Sequence, residues 1–213
     1  MLIDDFLSYV LVETPGCPIP MARMQVISAA DEFCRQSRCW NEFQDFITLV
    51  DGVNEYDIDS PADAVAHVVL GAWVGSVALT PASIAELQLV LPAWRVATGN
   101  LPRYYNKMLD RSSIAVYPIP AGSLGAQLSL RVSYAPSASA KTIPDFLAER
   151  YREAIASGTK SRLMAMPGQP WSNPSLVSYY RDIFVSGMAI AQAELLHEQS
   201  PGLVTVRPRA FGF

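Results

Sequence analysis

Hydrophobic positions along this chain change their period twice, from helical to alternating and back to helical. In the segment PIPMARMQVISAADEFCRQSRCW, Met24, Ile27, Ala30 and Cys34 recur three and four residues apart, with Val26 and Phe33 widening the stripe. That spacing predicts an amphipathic helix. Pro20 suits its first turn, where a missing N–H is not needed. Arg23, Gln25, Asp31, Glu32 and Arg35 fall largely outside the stripe. A shorter helical segment, Leu2 to Val12, precedes it and stops at Pro15-Gly16.

From about Phe43 the period becomes that of strands. FQDFITLVDGVNEYDI holds two short apolar runs around Asp51-Gly52, a pair that favours a hairpin turn. AVAHVVLGAWV predicts a further strand, and VALTPASIAELQLV a strand end followed by a short helix from near Pro81. SSIAVYPIP and AQLSLRVSYAP are separated by AGSLG. In the latter, Leu128, Leu130, Val132 and Tyr134 alternate with Gln127, Ser129, Arg131 and Ser133, which predicts one face on a core and one in water. Residues 43–135 therefore read as a small antiparallel β module.

Helical spacing returns at about residue 145. Leu147, Tyr151, Ala154, Gly158, Ser161 and Ala165 follow a 4-3-4-3-4 pattern, a seam that faces one partner helix. Glu149, Arg152, Glu153 and Lys160 occupy other faces, and Pro167-Gly168 stops the helix. Asn173-Pro174 then supplies an N-cap residue and a proline at the first helical position. The last helix carries Leu176, Tyr180, Ile183, Phe184, Gly187, Ala191 and Leu195 on one stripe and runs to about Glu198. At 1.5 Å per residue the two helices would be roughly 33 and 38 Å long. They are expected to form an antiparallel hairpin on which the N-terminal helix packs, since no helix buries its stripe alone. The predicted fold is α+β: a helical bundle from residues 1–42 and 143–199 with a long C-terminal helical hairpin, and an antiparallel β-rich module, 43–142, inserted in it.

Composition adds a hint about partners. The charged fraction is 17%, below the roughly 25% of ordinary soluble domains, which suggests surface hidden by partners but also fits a compact monomer. Residues 1–63 hold 12 acidic and 3 basic side chains, whereas residues 64–213 hold 8 and 13. A head-to-tail ring would use such asymmetry, although chance clustering explains it equally well. Cys17, Cys34 and Cys39 have neither metal-ligand nor redox spacing, which predicts reduced thiols. The first residues carry acids where a secretory signal needs bases. The 22 uncharged residues between Asp63 and Glu86 match a membrane span in length, but their glycines, Pro81 and β-branched residues fit buried strands better.

Catalytic chemistry should leave a nucleophile, a base and a stabilising group together. His67 lies in an apolar strand pattern and His197 near a helix end, and neither has a partner motif. No phosphate-binding glycine loop or HExxH pattern occurs. Asp57 and Asp59 on one side of a strand, and Asp4-Asp5, are the weakest of cation-site signals. Arg103-Tyr104-Tyr105-Asn106-Lys107 mixes cations with aromatics as single-strand binders do, yet such clusters commonly pack on their own domain. The expectation is no enzyme, no cofactor and no metal.

The end of the chain is more telling. SPGLVTVRPRAFGF has no acid, two arginines and two phenylalanines. Gly202 and Pro208 prevent continued helix, and fourteen extended residues reach roughly 46 Å. Val204 and Val206 share a face, as in a strand added to a neighbour's sheet edge. Val204, Val206, Arg207, Arg209, Phe211 and Phe213 are thus expected in a docking arm, residues 200–213.

Four stretches carry a family likeness: PGCPIPMARMQVISAADEFCRQSRCW, VDGVNEYDI, IAVYPIP and PDFLAERYREAIASGTKSRLMAMPGQPWSNPSLVSYYRDIF. Through them the sequence resembles the adaptor (head–tail connector) proteins of tailed bacteriophages, most specifically in the MPGQPWSNP loop. The resemblance implies a virion protein of the head–tail neck, made in the host cytoplasm. It implies a ring of typically twelve copies that caps the portal protein, meets the tail nozzle or other neck proteins, and lines a lumen for exiting genomic DNA. It implies no catalytic residue and no membrane. It also implies that Pro167, Gly168, Trp171, Asn173 and Pro174 form a structural loop, and that the C-terminal arm touches portal. A DNA-packaging accessory or other nucleic-acid-binding phage protein is the alternative.

Overall fold

In the computed structural model, residues 1–107, 112–122 and 125–199 are described, with side chains through Leu196. The arm residues 200–213, and His197 beyond its backbone, lie outside what is described. A 3₁₀ turn, Ile3–Phe6, leads into α1 (Leu7–Leu11), and α2 follows (Ile19–Ser37). Next come β1 (Asn41–Phe43), β2 (Ile47–Thr48), β3 (Glu55–Asp57), β4 (Ala64–Val74), β5 (Val77–Ala78) and β6 (Thr80–Pro81). Then α3 (Ile84–Val90), β7 (Thr98–Gly99), β8 (Tyr104–Lys107), β9 (Ser113–Tyr117), β10 (Ile119–Pro120) and β11 (Gln127–Pro136) complete the β-rich region. The chain returns to helix with α4 (Asp145–Arg150), α5 (Arg152–Met164) and α6 (Pro174–Gln199). The class is α+β.

The longest ladder is the antiparallel pair β4–β11, extended by β5 on one edge and by β1 and β2 on the other. A second sheet runs β3-β9-β8-β6, and β7 pairs β10. Most pairings are antiparallel, but β6–β8 and β7–β10 are parallel. Asp51-Gly52 turns the chain, with Gly52 at φ +78°. It does not close a hairpin, because β2 pairs β11 while β3 pairs β9 in the other sheet. The turn passes the chain between sheets: the Gly52 N–H donates to Pro120 O at 2.8 Å, holding it beside β10.

On β11, Leu128, Leu130, Val132 and Tyr134 are buried as their alternation predicts. The opposite face meets open water only at Gln127 and is progressively covered beyond it. Ser133 is fully buried, and Arg131 bonds Asn41 Oδ1 at 2.8 Å beneath the Phe43 ring. The strand therefore has half-covered neighbours on its polar side.

In α2 the buried stripe is Ala22, Val26, Ala29, Ala30, Phe33 and Cys34, while Met24 is exposed. The face is rotated from the one that the large side chains alone indicate, because alanines hide against close neighbours without announcing it in a hydropathy pattern. α2 packs on β11, α5 and α6, so one continuous core joins helices and sheet.

The helix expected from residue 145 is bent. Tyr151 leaves the helical region at φ −120°, ψ 16°, separating α4 from α5. Hydrogen bonds still cross the bend, from Tyr151 N to Leu147 O and from Ile155 N to Tyr151 O, both 3.0 Å. α5 is also more central than its seam predicts. Every residue from Ala154 to Ser161 is buried, Lys160 included, because α1, α2 and α6 surround it. Two of its hydroxyls are satisfied inside the helix: Thr159 donates to Ile155 O and Ser161 to Gly158 O, each at 2.9 Å.

Candidate functional site

The contact between α5 and α6 sets the geometry around which the candidate surfaces lie. Tyr151 donates its hydroxyl to Glu194, Ala154 meets Gly187, and Gly158 meets Phe184. Residue numbers rise along one helix as they fall along the other, so the two run in opposite directions. A Cβ on Gly158 would overlap the Phe184 ring, and one on Gly187 would overlap Ala154. Small residues let the axes approach closely.

The connecting loop holds this pair together at one end. α5 stops at Met164, whose carbonyl accepts from the Asn173 N–H at 3.0 Å and the Ser172 hydroxyl at 3.3 Å. Asn173 directly precedes α6, and its Oδ1 accepts from the Ser175 hydroxyl at 2.6 Å. Pro174 is the first residue of α6. Trp171 is buried in the core, while Pro167 and Gly168 are exposed, Gly168 at φ +72°. The predicted loop residues thus fall into an inner group that touches α5 and an outer turn.

Charged side chains clasp the three main helices. Lys160 pairs with Glu13 at 2.6 Å, and the Tyr180 hydroxyl donates to the same carboxylate. Glu32 receives Arg162, and Arg181 at 2.9 Å, with both guanidinium groups over the Phe184 ring. Burial holds the Arg162 guanidinium below its ordinary pKa despite Glu32. Part of the charge asymmetry along the sequence is therefore consumed within the subunit, where early acids meet late bases.

The other sequence candidates are tied into the fold. Two register shifts between β4 and β11 leave Leu70 and His67 without a ladder partner. His67 Nδ1 lies 3.1 Å from an Arg35 guanidinium nitrogen, and burial followed by that cation lowers its pKa. Lys107 donates to the carbonyls of Ala66 and His67 at 3.0 and 2.7 Å, and Asn106 to Ala82 O at 2.7 Å. Within the Arg103–Lys107 cluster, Asn106 and Lys107 thus serve their own sheets, Tyr105 is buried, and Arg103 is exposed. Arg23 grips Asp4 through two bonds of 2.7 Å. The cysteines are free, and a Cys34–Cys39 hydrogen bond, with burial, pushes the Cys34 thiol up. Among the described residues no group of His, Cys, Asp or Glu could hold a metal ion, and no helix is long and apolar enough to cross a membrane.

What remains is surface without an occupant. Phe43 (66% exposed), Phe46 (68%), Leu89 (83%) and Val96 (74%) stand out from the β-rich region. A groove of about 740 Å³ opens between α6 and the α4–α5 bend. Sequence reasoning missed both, because periodicity shows which face is apolar but not whether anything covers it.

Compared with known families, residues 22–206 match the profile described as SU10 adaptor protein, which covers most of the chain. The chain belongs to the SU10 adaptor protein family. This is a family of bacteriophage adaptors, structural proteins of the head–tail neck that meet other head and tail proteins. No curated protein sequence matches the chain. For an SU10 adaptor, exposed apolar side chains and grooves are the relevant features, since such a protein acts through contacts.

Proposed function

We propose that this adaptor forms a closed ring, typically of twelve copies, seated on the portal and presenting its other face to a tail nozzle or other neck component. Genomic DNA passes through the lumen without sequence-specific contact. Family membership supports the adaptor role, and the observation that carries the ring reading is the exposed apolar surface at Phe43, Phe46, Leu89 and Val96. A self-contained subunit gains nothing from leaving such side chains in water, whereas repeated neighbour contacts would cover them.

In this reading the bundle (1–42 and 143–199), with its helical hairpin, is the body and the β-rich module (43–142) the projection. Their common core would let the two act as one piece. Head-to-tail contacts close a ring when the rotation per subunit divides the circle. Residues 200–213 act as an arm that engages portal, adding avidity because each ring offers many arms at once. Lys107 and Asn106, committed to internal carbonyls, weigh against the nucleic-acid-binding alternative.

Sedimentation of the purified chain mixed with its portal tests the reading. A stoichiometric complex is expected, and a chain lacking residues 200–213 should keep its circular dichroism but lose portal binding. Full binding by that truncation would remove the arm's role. No complex with the intact chain would overturn the adaptor ring itself.

A further inference from the structure

The 26-residue α6 carries two stripes. One, through Tyr180, Phe184, Met188, Ala191 and Leu195, faces the core. The second, Tyr179, Ile183, Ser186 and Ile190, repeats at 4-3-4 spacing beside it, with Tyr179 and Ile190 exposed. This second stripe is one wall of the 740 Å³ groove, and Ala154 beside the α4–α5 bend lies in the other. Glu153, Asp182 and Glu194 line it against a single cation, Arg150, so the groove is apolar at its floor and acidic overall.

We propose that in the free subunit this groove is occupied by the chain's own residues 203–213. Three observations select that segment. Its charge is complementary, with Arg207 and Arg209 and no acid. Pro201-Gly202, one residue beyond α6, is the residue pair that a type II turn favours at its centre, and such a turn would reverse the chain toward the groove. The lengths also agree. At roughly 3.3 Å per extended residue against 1.5 Å per helical residue, a segment reversing near Gln199 brings Arg207 level with about Ile190. By the same steps Phe211 comes level with about Asp182, beside Tyr179 and Ile183. The arginines thus fall among the three carboxylates and the phenylalanines on the apolar stripe. The arm is stored against its own subunit and becomes available when a partner displaces it. The inference concerns the free chain and stands whatever ring that chain enters.

The test uses the full chain with benzoylphenylalanine in place of Phe211, as an equal mixture of ¹⁴N- and ¹⁵N-labelled protein at a concentration where it is monomeric. After irradiation, digestion and mass spectrometry should place the crosslinks on residues 150–154 and 179–194, with no mixed-isotope pairs. Charge reversal at exposed positions, Glu153→Lys with Asp182→Lys, should lower the yield at least fivefold without changing the circular dichroism. Crosslinks elsewhere, or none, would overturn the proposal. Mixed-isotope pairs would overturn it in favour of a neighbour's arm, and an undiminished yield after charge reversal would remove the electrostatic basis.

Discussion

At Gly158 the absence of a side chain leaves room for the Phe184 ring, which lies fully buried and within reach of the Arg162 and Arg181 guanidinium groups. Adding one methyl there forces the ring or a helix aside, so Gly158→Ala should destabilise the fold by about 1–3 kcal/mol despite its better helix propensity. Phe184→Ala leaves the space empty and should cost about 3–5 kcal/mol. Urea unfolding of both variants measures this; a neutral Gly158→Ala would mean that the helices are less tightly apposed than described. Asp63 makes a different kind of contact, at φ +63°, accepting from the Thr142 hydroxyl at 2.7 Å and from the Thr142 and Lys141 N–H groups at 3.0 and 3.1 Å. The Thr142 hydroxyl, then the Lys141 amide, hold its carboxyl below the ordinary 3.8. A carboxyl depressed on folding contributes stability in full above that ordinary value and loses it as pH falls through the folded one. Asp63→Ala should therefore lower Tm at pH 7, and the gap from the unmodified chain should shrink at pH 3. An equal gap at both pH values would contradict this.

Elements whose burial rests on large side chains were legible in the sequence, and those set by tertiary partners were not. β11 announces its core face through Leu128, Leu130, Val132 and Tyr134. α6 announces Phe184, Ala191 and Leu195, while Leu176 is exposed and Met188 is buried instead. Alanines shift the buried face of α2, the bulges at Leu70 and His67 come from pairing with β11, and the bend at Tyr151 accompanies its contacts with Phe33 and Glu194. None of these has a local signal. The short α3 is the reverse case, an element specified almost entirely by its own sequence. Ser83 and Glu86 form a reciprocal capping box, while Leu87 is its only buried residue. Ser83→Ala should cost α3 about 1 kcal/mol, speeding amide exchange in Leu87–Val90 by roughly fivefold with little change in global Tm. An unchanged exchange rate would mean that packing of Leu87 against Tyr117 and Ala115, not the cap, forms the helix.

Across the whole molecule, charge is used inward and apolar surface is left outward. Glu13 and Glu32 neutralise Lys160, Arg162 and Arg181 where α2, α5 and α6 converge, so the asymmetry along the sequence does not by itself point to a neighbour. The proposed ring contact rests instead on the exposed side chains at Leu89 and Val96. Leu89→Glu with Val96→Glu should leave the subunit folded, since neither side chain contributes to the core, and should weaken assembly on portal at least tenfold by sedimentation. Unimpaired assembly would move the ring contact to another surface. The most direct test of the central claim is an electron cryomicroscopy reconstruction of the virion neck at side-chain resolution. A closed ring of this chain between portal and tail is expected, with Leu89 and Val96 covered by neighbouring copies. Absence of the chain from the neck, or its presence there as copies that do not touch one another, would contradict it.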